Sequence, residues 1–283
     1  MDGVPEQFEH PQDAVEYKRP ARAGLELYRA NIVRHAFDPH THDAFGLGVI
    51  DSGVERFRYR GGEHLAAADA VVTMNPDELH TGRAETEQGW RYRMAYIDAD
   101  LVEQISGERG WSFATPTVSD PRLARQVRQW LSAMWDAPDA LGGDSALFEL
   151  LERLRPHARV GTPRPNEPLR GSDASLARAL DLMHSALETD LGLERLAAEA
   201  NLSPFHFLRR FKQRYHATPH QMLMALRLFR AKQRLAAGDQ PADVAAAVGL
   251  VDQAHLTRRF ARMYGVTPAR YQAQLRTRPT EKR

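Results

Sequence analysis

The sequence predicts a two-domain α+β protein. An N-terminal antiparallel β-sandwich or small barrel is backed by amphipathic helices, and an all-α domain follows. Three observations carry this. Short alternating runs separated by turn signals fill residues 25–98. From residue 121 onward, apolar residues recur at helical spacing. The C-terminal third also holds one unit twice. SPFHFLRRFKQRYHATP (203–219) returns as DQAHLTRRFARMYGVTP (252–268), at an offset of 49.

The chain has 283 residues with 42% hydrophobic content, enough for two packed cores. It contains no cysteine. Disulfides, thiolate metal sites and cysteine nucleophiles are therefore excluded, and a reducing compartment fits. The N-terminus carries no apolar run, so no signal peptide is expected. No stretch approaches the roughly 20 apolar residues of a membrane span, so a cytoplasmic protein without a membrane partner is expected. The net charge of +1 hides an asymmetry. Residues 1–170 carry 20 Lys+Arg against 27 Asp+Glu, net −7. Residues 171–283 carry 18 against 10, net +8. A basic module behind an acidic one suits a polyanion binder with a separate control domain.

Taken in order, residues 1–20 are polar and proline-bearing, and are expected to be irregular. LELY (25–28) alternates, and 45–50 is an apolar run. Asp51-Ser52-Gly53 reads as a turn, making 54–61 the second arm of a hairpin. Gly61-Gly62 and Asn75-Pro76-Asp77 are further turns, and RYRMAYI (91–97) is a strand. Arg58, Arg60, Arg91 and Arg93 read as a solvated outer face. Helices are expected over 121–135 and 145–158, with Pro138 and Gly142-Gly143 in the connection. Their apolar faces suit packing on the sandwich or a dimer interface equally. The expected division is 1–158 (helical part 121–158), a proline-rich linker 159–172, and 173–283.

Each repeat unit reads as a short helix, a turn and a longer basic helix. Asn201 and Gly249 sit where left-handed backbone is wanted. Ser203 and Asp252 are suitable N-caps. Phe207, Phe211 and Tyr215 share one face at four-residue spacing, as do Leu256, Phe260 and Tyr264, and are expected core. The opposite edge, Phe205, Leu208, Arg209 and Lys212, then Ala254, Thr257, Arg258 and Arg262, is left to face a DNA major groove. Arginine forks match guanine edges and phosphates, and Thr257 suits a thymine methyl. The helix between the units, 219–237, spans about 28 Å at about 1.5 Å per residue. That length suits two readers on neighbouring grooves about 34 Å apart.

Residues 171–275 resemble the DNA-binding domain of the AraC/XylS family of transcription regulators. LAAEANLSPFHFLRRFK and VAAAVGLVDQAHLTRRFARMYGVTPARYQ carry the likeness. Leu250-Val251-Asp252 departs from the usual residues after the second turn, which leaves the bases read open. His40-Thr41-His42, with a later Pro76-Asp77-Glu78-Leu79-His80, resembles the cupin-like sensor domain common in that family. Metal-binding cupins add a glutamate soon after H-x-H, and 43–49 has none, so no metal and no cofactor are assigned.

The resemblance implies a sequence-specific regulator of double-stranded promoter or operator DNA, responding to a small-molecule effector in the N-terminal barrel. Effector-site candidates are His40, His42, Tyr59, Glu78, His80, Trp90 and Tyr92. A homodimer and contact with RNA polymerase are further expected partners. No catalytic residue is assigned and an enzyme is not expected. The rivals are a cupin-type metal-dependent enzyme tethered to DNA and a ligand-independent DNA binder.

Overall fold

The computed structural model describes residues 10–161 and 172–276. The N-terminal half is antiparallel β-structure. One path of strands runs β1 (Ala14–Lys18), β2 (Leu25–Ile32), β8 (Trp90–Asp98), β4 (Ala44–Tyr59), β6 (Ala70–Met74), β9 (Thr117–Ser119). A second layer pairs β3 (Ala36–His40) with β7 (His80–Ala84), and sets β7 and β5 (Gly62–Ala67) against β4. The region expected to be irregular thus contains β1, which pairs with β2 along its whole length.

β4 belongs to both layers. Residues 44–53 pair with β8 and 46–49 with β6, while 54–59 pair with β5. The expected turn at Asp51-Ser52-Gly53 is instead a bulge within one 16-residue strand. A bulge bends a strand and re-aims it, which lets β4 pass from one sheet to the other. Asp51 fixes the bend: its carboxylate accepts from Arg93 Nε at 2.9 Å and Arg128 Nε at 2.8 Å. Arg93 is therefore not on a solvated face. It clamps β8 to α2 (Pro121–Asp136) through Asp51 and the Ser132 hydroxyl.

The outer face of the larger sheet is covered by helices α1 (Ala99–Ser106), α2 and α3 (Ala140–Leu154). Leu27, Leu47, Val49, Ala95 and Ile97 from strands interdigitate there with Leu123, Val127, Leu147 and Leu151. Packing on the sheet thus accounts for both amphipathic faces. Helix α3 begins earlier than expected, because Gly142-Gly143 lies in its first turn. Asp139 caps it by accepting from Gly142 N at 2.8 Å, and Arg22 ion-pairs with Asp144. A capped and salt-bridged first turn tolerates glycine, whose cost is only about 1 kcal/mol each.

The second half is helical: α4 (Ser172–Ser185), α5 (Leu193–Glu199), α6 (Pro204–Tyr215), α7 (Pro219–Ala236), α8 (Pro241–Ala247), α9 (Gln253–Tyr264) and α10 (Pro268–Arg276). α5–α6 and α8–α9 are the two repeat units. Asn201 at φ +53° and Gly249 at φ +70° make their turns, in the left-handed region. A Cβ at Gly249 would lie 2.6 Å from the Leu187 carbonyl, so that turn needs glycine twice over. Most of the linker expected at 159–172 lies outside the described residues. Among the described residues, no helix is long and apolar enough to cross a membrane.

Candidate functional site

The reading edge is built by helix phase and caps. Ser203 Oγ accepts from His206 N at 3.4 Å, and an Asp252 carboxylate oxygen from His255 N at 2.6 Å. Both helices thereby begin at the same phase, which turns Phe207 and Phe211, then Leu256 and Phe260, fully inward. What remains outside is the edge read from sequence. Phe205 is 72% exposed and Leu208 36%. Arg209, Lys212, Ala254 and Arg258 are exposed, and Thr257 is half-buried. Among the described residues no ion pair holds Arg209 or Arg258. An exposed Phe205, one turn before Arg209 on the same helix, is costly in water and suits base methyls beside phosphates.

Arg262 departs from the expectation. Its Nε lies 3.3 Å from the Asp38 carboxylate on β3, and its carbonyl accepts from His35 Nε2 at 3.1 Å. The C-terminal end of α9 is thus drawn onto the barrel, and Arg262 is not free for DNA in this arrangement.

That contact is part of a larger closure. The barrel interior and the second repeat unit share one apolar core, running from Tyr28, Phe57 and Trp90 to Leu228, Phe260 and Tyr271. α10 ties to β1: Tyr17 N donates to Gln274 Oε1, and Gln274 Nε2 donates to the Val15 carbonyl, each at 3.0 Å. At the centre of the closure α7 delivers Lys232, whose ammonium ion-pairs with Glu26 of β2. The two side chains are only 8% and 9% exposed. Tyr271 Oη donates to the other Glu26 oxygen at 2.8 Å. The rings of Tyr17, Tyr264, Tyr96 and Tyr271 surround the ammonium at 4.9–5.6 Å. A buried charge pair is tolerable only when so fully partnered. Nothing in the sequence marked this pair, since 206 residues separate its members.

Beside Lys232 lies a cavity of about 350 Å³, lined by Arg19, Arg22, Glu26, His42, Tyr96 and Phe229 among others. It is walled by both halves of the molecule. Of the sequence-predicted effector residues, only His42 reaches it. His40, His42 and His80 do converge, deeper in the barrel mouth, and burial holds all three imidazoles neutral, His80 down to about 4. Trp90 stacks on Tyr92 at 5.6 Å within the core. Tyr59 is paired in register with His80 and Glu78 offers its carbonyl to His80 Nδ1, but their side chains are engaged elsewhere. The Tyr59 hydroxyl accepts from Asn75 N at 3.1 Å, and the Glu78 carboxylate is held by Arg60. Their proximity to the H-x-H pair in the strand pattern is spent on fixing the turn at 75–78.

Known proteins fit this geometry. A model of the AraC-like ligand binding domain matches residues 22–151, and one of a helix-turn-helix domain matches 196–274. The MmsAB operon regulatory protein of Pseudomonas aeruginosa is 38% identical over 258 residues, covering 86% of this chain and 79% of that protein. An uncharacterised HTH-type transcriptional regulator, YbfI of Bacillus subtilis, is 24% identical over 82% of this chain and 86% of its own length. In fold, the chain is similar to apo ToxT of Vibrio cholerae, at TM-score 0.58 and 10% identity, covering 91% of this chain and 100% of that one. The chain belongs to the AraC family of transcription regulators, with a ligand-binding N-terminal half and a DNA-binding helix-turn-helix C-terminal half.

Proposed function

We propose that the chain reads an asymmetric DNA site through the N-terminal halves of α6 and α9. Phe205, Leu208, Arg209 and Lys212 meet one major-groove segment, and Ala254, Thr257 and Arg258 meet the next. The two edges differ in chemistry, so the two half-sites differ in sequence. Helix α7, 18 residues or about 27 Å long, sets their spacing.

The effector is a small polar molecule held by the N-terminal domain at its mouth, in the cavity that α7 closes with Phe229, Lys232 and Gln233. The observation that carries this reading is Lys232. A DNA-binding half that plants a buried lysine on the sensor, at the edge of a 350 Å³ cavity, couples occupancy to the placement of α7–α10. Differential affinity of the effector for the closed and opened arrangements supplies the switch. The proposed division places a proline-rich stretch, 159–172, between the two halves. The protein acts as a regulator and not as an enzyme, in the cytoplasm, as a homodimer and together with RNA polymerase. Leu141 and Phe148, 78% and 47% exposed on α3, suit the dimer contact.

In vitro selection of bound DNA by the full-length protein, followed by footprinting, tests this reading. An enriched two-part site whose protection changes with a small molecule that raises the melting point is expected. No enriched sequence rejects specific reading, and an unchanged footprint rejects the coupling.

A further inference from the structure

His40, His42 and His80 come together where β3 ends, β4 begins and β7 starts. We propose that they form a site for a late first-row divalent metal ion, of the zinc type, held by three imidazole nitrogens. Their ring centroids lie 4.2, 5.1 and 5.3 Å apart, and one nitrogen from each falls within 4.8 Å of the others. All three side chains are buried, at 7%, 7% and 6% exposure.

The hydrogen bonds around the cluster set its tautomers. His40 Nδ1 lies 2.9 Å from the Asp38 carbonyl, and His80 Nδ1 lies 3.0 Å from the Glu78 carbonyl. A carbonyl oxygen only accepts, so Nδ1 carries the proton in both rings, and each Nε2 presents a lone pair. Metal-bound histidines show this same outer bond, which fixes ring orientation and raises ligand basicity. His42 adds the independent observation: among the described residues its buried Nε2 has no hydrogen-bond partner. A buried polar nitrogen left unpaired is destabilising, and a shared cation removes that cost. Burial also keeps the three rings neutral, the form that ligates.

The donor set selects the ion. Three imidazoles without a carboxylate favour zinc, copper or cobalt over magnesium, calcium or manganese. Small side-chain rotations would bring each nitrogen to about 2.0–2.1 Å from a central ion. A cavity of about 20 Å³ beside His40 and His80 has room for a single water as a fourth ligand. Lys232 disfavours positive charge on His40 and His42, and its ion pair with Glu26 offsets part of that opposition. The absent glutamate after H-x-H removes one anionic ligand but none of these three. Tyr264 of α9 lies across His40 at 6.2 Å, so the site sits under the second repeat unit.

The test uses untagged full-length protein, stripped with chelator, dialysed and given Zn(II) or Co(II) alone. One equivalent bound, a raised melting point and a Co(II) visible spectrum of low coordination number are expected. His42→Asn and His80→Gln each weaken binding by roughly 100-fold or more, while His184→Gln on the exposed face of α4 leaves it unchanged. If the core variants fail to fold, the X-ray absorption spectrum of the Co(II) wild type decides. Three imidazole donors uphold the site, and fewer than three overturn it. Less than a tenth of an equivalent after reconstitution, or binding lost in His184→Gln and kept in His80→Gln, also overturns it.

Discussion

The two repeat units share a sequence pattern and differ in what they lean on. The first, α5–α6, packs with α4 in a core of its own, built from Leu176, Met183, Leu196, Phe207, Phe211 and Leu223. The second, α8–α9, has no separate core. Leu256, Phe260 and Tyr264 belong to the same apolar cluster as Tyr28, Phe57 and Trp90 of the barrel. Tyr264 is 2% exposed and meets His40, while its counterpart Tyr215 is half-buried on its own helix. The first unit therefore touches the barrel only at its margin, through Leu79 and through His216 beside Gly61, while the second shares the barrel's core. The two copies thus stand in different surroundings, and the barrel mouth touches α9 directly at Tyr264.

The largest expected effect comes from the joint itself. Glu26→Gln leaves the Lys232 ammonium buried without its counter-charge, a change that costs about 3–5 kcal/mol. Amide exchange should accelerate across α9, α10 and β1 and stay unchanged in α6. Adding Lys232→Met should recover most of the loss, because an apolar replacement of the whole pair is near neutral. Equal acceleration in α6 and α9 would show that the C-terminal half responds as one body, and the distinction between the units would fall.

Acid should loosen the same joint in metal-free protein. Burial lowers His40, His42 and His80, so the folded state stays unprotonated where the unfolded chain, near 6.5, takes up protons. Their contribution is complete above about pH 6.5 and is lost as pH falls toward 4. For His80, at about 4, the shift corresponds to about 3 kcal/mol. Glu55 works in the opposite sense. Desolvation raises it to about 8, so its contribution is full below about 4.5 and is lost as pH rises through 8. Three imidazoles against one carboxyl leave a net loss on acidification between 6.5 and 4.5, with a stability maximum near 6.5. Urea midpoints across pH 4.5–8 check this, and His80→Gln should flatten the acid limb. The core of the first unit holds no buried histidine, so α6 should keep its exchange protection over that window longer than α9.

Much of this asymmetry was illegible in the sequence, for physical reasons. Local chemistry was readable. Asn201, Gly249, Ser203 and Asp252 sit at turns and caps whose demands are met within four residues. The inward aromatics follow from helix phase alone. The bulge at 51–53 was not distinguishable from a turn, because Asp-Ser-Gly suits both. Arg93 and Arg128, 42 and 77 residues away, decide between them. The start of α3 was hidden by a double glycine that a cap and an ion pair override. Lys232 looked like any basic residue of an amphipathic helix, and only its partner across the fold makes it the joint. The histidine cluster was visible in outline from H-x-H and His80. Its tautomers depend on carbonyls of Asp38 and Glu78 that no side-chain pattern reports.

DNA contacts should divide along the same line, with a smaller effect. Arg209→Ala and Arg258→Ala should each cost about 1–3 kcal/mol and relax specificity at a single position where the guanidinium forks onto guanine. Competition binding across a panel of single-base variants of the selected site measures both. The difference between the units predicts that an effector changes the cost of Arg258→Ala more than that of Arg209→Ala, since α9 is held on the barrel through Arg262 and Tyr264, while the first unit meets it at Leu79 and at Gly61 beside His216. A uniform loss across all bases would reassign that arginine to a phosphate.

The smallest effect concerns the caps. Ser203→Ala and Asp252→Ala each remove one acceptor from a helix N-terminus, worth about 1 kcal/mol. Asp252 should cost more, because its bond is shorter, 2.6 Å against 3.4 Å, and its charge favours the helix dipole by roughly 0.3–1 kcal/mol more. The location of the loss is more telling than its size. In a unit with its own core, a frayed first turn opens locally, so Ser203→Ala should speed exchange within α6 alone. In a unit sharing the barrel core, opening α9 exposes Phe260 and Tyr264 and with them the mouth of the barrel. Asp252→Ala should therefore speed exchange in α9, α10 and β3 together, by one common factor. Two purely local responses would mean that the shared core does not transmit strain, and that the second unit reads DNA as independently as the first.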